Sequence, residues 1–137
     1  MKNITTILSG YDFELLQGTP DTEVSHITFN SLHVKPKSVF VAIRGEKADG
    51  HNFIQKAVEA GASVIVCEEL ISEIEGVTVV RVADSRAALS QMADNWYDSP
   101  SSTMKVIGVT GTNGKTTTAS MLYDLFSQLG YPCGLFS

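Results

Sequence analysis

The chain contains, at residues 106–118, the stretch VIGVTGTNGKTTT. Apolar residues open it, glycines and small polar residues follow, and Lys115 and Thr116 lead into a segment with an apolar stripe. A strand, a glycine loop and a helix in this order are the context of a phosphate-binding loop, because the glycines let backbone N–H groups turn towards an anion at the start of the helix. The pattern therefore predicts a strand over 105–110, a helix over 116–129, the beginning of a further strand over 132–136 and an α/β fold.

This loop departs in one position from the usual phosphate-loop pattern GxxxxGK[ST]. The pattern requires glycine at position 109, where this chain has Val109. The prediction therefore depends on GTNGKT at 111–116 and on the flanking strand and helix. In such a loop Lys115 reaches the β- and γ-phosphates and the Thr116 hydroxyl ligates Mg²⁺. The alternative is a glycine-rich turn that only starts a helix.

The rest of the chain alternates between predicted strands and helices. The continuous apolar run at 39–43 is typical of a buried strand, 63–67 is predicted as a second buried strand and 77–82 as another, and the weak alternation at 24–29 indicates a further strand. Helices are predicted after Asn3, near 52–60 and after Asp84 or Ser85. The polar, proline-containing segment DSPSST at 98–103 is the best domain boundary. We therefore predict a domain over 1–98, a linker over 99–104 and the beginning of a second domain over 105–137.

Composition and charge limit the classes of function that the chain could have. Of the 137 residues 43% are hydrophobic and 18% charged, so the chain is expected to fold, and its net charge of −5 argues against nucleic acid as a partner. No apolar run approaches the ~18 residues of a membrane span. With no signal peptide and no cysteine framework, we expect a cytoplasmic protein in which Cys67 and Cys133 are buried thiols. A basic island at 35–56, with five basic and two acidic residues, is suited to an anionic ligand or to a solvated loop.

Three segments carry a resemblance to a known family. TGTNGKTTT at 110–118 resembles the ATP loop of the Mur ligases, the ADP-forming amide ligases of peptidoglycan synthesis. SVFVA at 38–42, followed by GEKADGHNF at 45–53, is similar to the uridine-nucleotide-binding domain of the MurE- and MurF-type ligases. The linker, from YDSP at 97–100 to IGV at 107–109, resembles the MurE type, which adds a diamino acid to UDP-N-acetylmuramoyl-L-alanyl-D-glutamate.

The resemblance implies a site in each predicted domain. It implies a small mixed-sheet domain that binds the UDP precursor, through Ser31, Gly45, Glu46, Lys47 and Ala48. The second domain would be a P-loop, Rossmann-like ATP-binding domain, with Lys115 as the catalytic residue and Thr116 as the Mg²⁺ ligand. Its ATP-binding residues would be Gly111, Thr112, Asn113, Gly114, Lys115, Thr116 and Thr117.

The chain also differs from the family pattern near Ser31. The family usually has Asp-Ser-Arg, and this chain has Asn30-Ser31-Leu32, so the detailed contacts of the precursor are expected to differ. Reasoning from the residues, Asp49 is interpreted as a helix cap, and His51 as a capping or packing residue. Lys47 and Arg44 of the basic island are expected near an anion such as a pyrophosphate.

The implied reaction is ATP-dependent ligation. ATP would phosphorylate the D-glutamate carboxylate, and the amine of L-lysine or meso-diaminopimelate would attack the acyl phosphate. Other catalytic parts of the family have no counterpart in these residues, so we expect an N-terminal fragment that does not ligate by itself. A MurF-type ligase, a folylpolyglutamate-type ligase and a non-ligase P-loop nucleotide-binding module remain as alternatives.

Overall fold

The chain forms two compact units, Met1–Thr103 and Met104–Ser137, in a computed structural model that describes residues 2–46, 48–69 and 72–136. Within these residues the first unit has the strands β1 (Lys2–Asn3), β2 (Phe13–Gln17), β3 (Glu23–Val24), β4 (His26–Thr28), β5 (Ser38–Val41), β6 (Ala62–Cys67) and β7 (Thr78–Val82). Its helices are α1 (Ile4–Ile7), α2 (Ile54–Glu59) and α3 (Ser85–Trp96), and the second unit has α4 (Lys115–Gln128). Short 3₁₀ turns cover Ser31–His33, Gly50–Phe53 and Pro100–Ser102.

Five strands form one mixed sheet in the order β2-β7-β6-β5-β4. The strands β4, β5, β6 and β7 are parallel, and β2 pairs antiparallel with β7 at one edge. β1 and β3 form a separate antiparallel pair. The predicted α/β class with a small mixed sheet is confirmed.

The core lies on both faces of this sheet. Val39 and Val41 of β5 face α1 and α3, whereas Phe40, between them, belongs to the cluster around α2. β6 and β7 alternate in the same way. Because parallel strands covered by helices on both faces are buried over most of their length, their sequences are mainly apolar, which is why three of these strands could be predicted.

The helix starts follow the predicted capping residues. The Asn3 side chain accepts a hydrogen bond from the backbone N–H of Thr6 at 2.9 Å, and Asp84 accepts from Arg86 and Ala87 at 2.8 and 3.0 Å. These bonds satisfy N–H groups that have no partner inside a helix. The predicted caps of α1 and α3 are confirmed.

Two strands of the first unit differ from the prediction. The strand expected over 24–29 is divided at Ser25, whose N–H donates to the carbonyl of Lys37 at 2.9 Å, and β3 and β4 then pair with different partners. β2 was not predicted, because its sequence FELLQ has no β-branched residue. Pairing with β7 makes it a strand, and the paired residues lie 62 to 69 positions further along the chain.

The second unit contains α4 but neither of the strands predicted around it. Residues 105–110 and 132–136 have no ladder partner among the described residues, and a strand forms only against a neighbour. Val106 and Ile107 are accordingly exposed. Cys133 is also exposed, contrary to the prediction, whereas Cys67 is buried, which raises the pKa of its thiol to about 11.

In the parts of the chain that the structure describes, no helix combines the length and the apolar character needed to cross a membrane.

Candidate functional site

The loops after β4, β5, β6 and β7 lie at one edge of the sheet, because these four strands are parallel. This carboxyl edge is where open α/β sheets bind ligands. Ser31 follows β4, and the segment 44–50, which we call the 44–50 loop, follows β5. β4 and β5 are neighbours in the sheet. The fold therefore brings the two segments predicted from the family resemblance to adjacent strand ends.

Asn30, one of the two departures from the family pattern, has a structural role. Its side chain accepts a hydrogen bond from the N–H of Leu32 at 3.0 Å, and its own N–H donates to the Thr28 hydroxyl at 3.1 Å. These bonds fix the 3₁₀ turn that Ser31 begins. Leu32, the second departure, is 73% exposed. The turn thus presents Ser31 beside an exposed apolar side chain where the family has arginine.

The 44–50 loop is a tight reversal of the chain. Arg44 and Asp49 pair as an isolated antiparallel bridge, and the N–H of Gly45 donates to the carbonyl of Ala48 at 3.0 Å. A Cβ atom at Gly45 would lie 2.8 Å from that carbonyl oxygen, so the turn requires glycine there. Glu46 is exposed at the turn, and Lys47 lies outside the described residues.

Arg44 is surrounded by carboxylates. Its guanidinium lies 3.7 Å from Asp49 and 3.8 Å from Glu68, and it also pairs with Glu69. Its positive charge is therefore compensated within the chain. We do not assign Arg44 to an anionic ligand, although the basic island had suggested that role.

Glu68 connects this cluster to α3. Its carboxylate accepts from the backbone N–H of Ser85 at 2.8 Å and from the Ser85 hydroxyl at 2.7 Å. These two bonds, together with the positive charge of Arg44, hold the pKa of Glu68 below its usual range. The Asp49 side chain accepts from the backbone N–H of His51 at 2.9 Å at the start of the 3₁₀ turn, which confirms its interpretation as a cap. This bond and a side-chain bond with His51 likewise lower the pKa of Asp49.

The lowered pKa of Glu68 predicts a loss of stability in acid. A carboxyl whose pKa is lower in the folded chain contributes stability above its unfolded pKa, and this contribution is lost as the pH falls from about 5 through the folded pKa. We expect Glu68→Gln to reduce the free energy of unfolding at pH 7 and to flatten its decrease in acid. Denaturant titrations between about pH 3 and pH 7 measure both. Glu75→Gln, at an exposed carboxylate, is the control, and identical pH profiles for wild type and Glu68→Gln would contradict the prediction.

The loop before α4 has the features of an anion cradle. Gly114 immediately precedes the helix with φ +73°, a backbone conformation that favours glycine. Among the described residues no side chain caps this helix, so its first N–H groups are free to face a ligand. The Lys115 ammonium donates to the carbonyl of Gly111 at 2.6 Å and thus lies across the loop. Gly111, Thr112, Asn113, Gly114, Lys115, Thr116 and Thr117 are all exposed.

The residues of this loop supply only part of a binding site for a magnesium nucleotide. The Thr116 hydroxyl is an oxygen donor of the kind that Mg²⁺ accepts, but in residues 2–46, 48–69 and 72–136 no group of three or more His, Cys, Asp or Glu residues could hold a metal ion. A metal at Thr116 would therefore take its remaining ligands from phosphate oxygens and water, as Mg²⁺ commonly does.

Sequence reasoning did not assign Glu68 and Ser85 to this edge. Glu68 lies just after the strand predicted over 63–67, and Ser85 was predicted only as an alternative helix cap. The available signal was their position, since each follows directly or closely on a strand of the parallel sheet. Such a position marks a ligand edge only once the strands are known to be parallel.

Comparison with known proteins gives matches over most of the chain. Residues 23–97 match the sequence model of the Mur ligase family, catalytic domain, and residues 109–137 match the Mur ligase middle domain. The UDP-N-acetylmuramoyl-L-alanyl-D-glutamate--2,6-diaminopimelate ligase of Cytophaga hutchinsonii is 50% identical over 89% of this chain and 26% of its own length. Ligase 1 of the same name from Clostridium acetobutylicum is 43% identical over 94% of this chain and 27% of its own.

Solved structures give the same family. MurF from Acinetobacter baumannii has a TM-score of 0.69 at 33% identity, over 92% of this chain and 27% of that one. MurF ligase from Thermotoga maritima, in complex with ADP, has a TM-score of 0.60 at 33% identity, over 75% of this chain and 23% of that one.

The chain spans about a quarter of the length of the curated relatives that it matches. The catalytic-domain match by itself covers more than half of the chain, and the middle-domain match begins at the glycine loop whose geometry suits a phosphate. Together with a mixed-sheet first unit, these matches show that the chain belongs to the Mur ligase family.

Proposed function

We propose that the protein is an ATP-dependent ligase that joins a diamino acid to UDP-N-acetylmuramoyl-L-alanyl-D-glutamate in peptidoglycan synthesis. The observation that carries the proposal is the placement of Lys115 across an uncapped helix start, within a loop of the Mur ligase pattern. The identities of 50% and 43% to ligases named for 2,6-diaminopimelate, against 33% to the MurF structures, favour the MurE type and that diamino acid over lysine.

In this proposal the phosphate loop works by position and charge. The N–H groups at the start of α4 and the Lys115 ammonium would hold the β- and γ-phosphates of ATP and offset the charge that develops during phosphoryl transfer to the D-glutamate carboxylate. The Thr116 hydroxyl would supply one oxygen ligand to Mg²⁺, which neutralises phosphate charge when bound. To bind ATP, Lys115 must exchange its bond to the Gly111 carbonyl for a phosphate oxygen.

The precursor would bind at the carboxyl edge of the first unit. We assign the uridine nucleotide to the Ser31 turn and to Gly45, Glu46, Lys47 and Ala48. Support comes from the adjacency of β4 and β5 and from the tight turn at Gly45, which exposes backbone groups to a ligand. Because Leu32 replaces the family arginine, the turn offers the Ser31 hydroxyl and an apolar surface rather than a cation.

Replacing Ser31 tests this assignment. We expect Ser31→Ala to weaken binding of the UDP precursor by about 3- to 10-fold, the effect of one lost hydrogen bond, in calorimetric titrations of the full-length protein. Ser9→Ala, at an exposed serine after α1, is the matched control and should leave the affinity unchanged. Equal affinity of Ser31→Ala and wild type would remove Ser31 from the site.

The activity itself is tested by ADP release from the full-length protein. The proposed ligase forms ADP only when ATP, UDP-N-acetylmuramoyl-L-alanyl-D-glutamate and 2,6-diaminopimelate are all present. Activity with D-alanyl-D-alanine and the tripeptide precursor instead would indicate the MurF type. ADP release without an amino acid acceptor would indicate a nucleotide-hydrolysing P-loop module. Cytoplasmic location, the absence of a nucleic-acid partner and inactivity of residues 1–137 by themselves stay predictions.

A further inference from the structure

His51 connects the 44–50 loop to the end of β6. Its side chain is only 9% exposed, although it follows a surface loop. Its Nδ1 lies 2.6 Å from the Asp49 carboxylate, and its Nε2 lies 3.1 Å from the backbone nitrogen of Glu68. The ring thus bridges the 44–50 loop and the end of β6, and His51 and Glu68 are 17 residues apart in sequence.

These contacts determine which ring nitrogen carries the proton. The backbone N–H of Glu68 is a donor only, so Nε2 must present its lone pair and accept. A neutral ring then carries its hydrogen on Nδ1 and donates it to Asp49. The same Asp49 oxygen also accepts the backbone N–H of His51, so ring and backbone are held by one acceptor.

The 44–50 loop is attached beyond its own strand by this bridge and by the Arg86 guanidinium of α3, which donates to the Arg44 carbonyl at 3.1 Å. Within the loop, the N–H of Gly45 bonds to Ala48 and the N–H of Gly50 bonds to the carbonyl of Ile43, both local contacts. Arg44 reaches Glu68 and Glu69 only through an exposed, flexible side chain. The His51 side chain, in contrast, is short and nearly buried. Its partner Glu68 is in turn held by two hydrogen bonds from Ser85 at the start of α3.

We propose that His51, held as the Nδ1–H tautomer between Asp49 and the backbone of Glu68, is a positioning residue that fixes the 44–50 loop for the uridine nucleotide. The inference rests on the proposed function for the identity of the ligand. His51 touches no ligand in this arrangement; it acts through Asp49 and through the strand end of β6.

The tautomer is tested directly by nitrogen NMR of the chain. In the neutral ring of His51, Nδ1 is expected to carry the hydrogen and Nε2 to be bare. A ring with its proton on Nε2 would overturn the inference, because the Glu68 N–H would then lack its acceptor.

Two further measurements test positioning in His51→Ala. Hydrogen exchange at the amides of Gly45 and Gly50 is expected to become at least about tenfold faster, while Val64 and Val66 in β6 keep their protection. The dissociation constant for UDP is expected to rise about 5- to 10-fold. Glu75→Ala, at an exposed residue just before β7 and hence at the amino edge of the sheet, is the control, expected to change neither.

A pair of variants at Asp49 covers the case in which His51→Ala does not fold. Asp49→Asn keeps an oxygen that accepts from both the ring and the backbone of His51, so it should behave as wild type in exchange and affinity. Asp49→Ala removes that oxygen and should reproduce the His51→Ala effects. Suppose that the wild type binds UDP, but His51→Ala or Asp49→Ala changes neither hydrogen exchange nor UDP affinity. That result overturns the positioning role alone. Wild type that binds no UDP overturns the proposed nucleotide site, and the functional part of this inference with it.

Discussion

Replacing Phe40 by alanine is expected to lower the free energy of unfolding by about 3–5 kcal/mol, the range for a fully buried phenylalanine. Phe40 is 0% exposed in the middle of the sheet, and it packs in the cluster that includes Ile54 and Ala57 of α2 and Ile65 of β6. Alanine would lose this apolar burial and leave a cavity between sheet and helix. Denaturant-induced unfolding, followed by circular dichroism at pH 7, measures the loss.

The matched control is Phe29→Ala, because Phe29 is 62% exposed just after β4. A surface substitution of this kind should change the free energy of unfolding by no more than about 0.5 kcal/mol. If Phe40→Ala and Phe29→Ala lowered the free energy of unfolding by the same amount, the layer between the sheet and α2 would not be packed as described.

Replacing Lys115 by alanine is expected to reduce ADP formation in the full-length protein by about 10³-fold or more. The loop performs little covalent chemistry, so its contribution is the positioning of phosphates and the stabilisation of charge, and a removed cation cannot be replaced by water at the same place. Lys115 is exposed and donates only to Gly111, so folding should be unaffected. The measurement is steady-state ADP release with saturating precursor and diamino acid.

Lys105→Ala removes the other exposed lysine of the second unit and serves as the control for net charge. It should retain activity close to that of the wild type. Turnover of Lys115→Ala within about tenfold of wild type would mean that the loop does not carry the phosphoryl transfer. Unchanged turnover in both variants, combined with ATP dependence, would direct the search for the ATP site to another part of the protein.

The sequence predicted the elements whose stability is mostly local or whose burial is complete. β5 and β6 are apolar apart from one serine each, β7 is apolar apart from Thr78 and Arg81, and α3 has both a capping Asp84 and an apolar stripe. Such patterns are visible without knowledge of the partner, because burial on both faces leaves little room for polar residues. The glycine loop at 111–116 was equally visible, since its chemistry depends on consecutive residues.

Elements that depend on a distant partner were missed or overpredicted. FELLQ becomes β2 only because β7 offers a free edge, and residues 105–110 form no strand because the described part of their unit offers no partner. Hydrogen bonding between strands is a property of the pair, so one sequence segment does not determine it.

In the candidate site, too, some features could be recognised from sequence and others depend on residues that are distant in the chain. The residue types of the nucleotide segments and the phosphate loop could be recognised from sequence, through their resemblance to the Mur ligases. That Ser31 and the 44–50 loop lie at adjacent strand ends was decided by the order β6-β5-β4. That Arg44 is compensated by Glu68 and Glu69, and that His51 bridges Asp49 and Glu68, was decided by the tertiary structure, because parallel strands bring together side chains about 20 residues apart whose charges no local pattern relates.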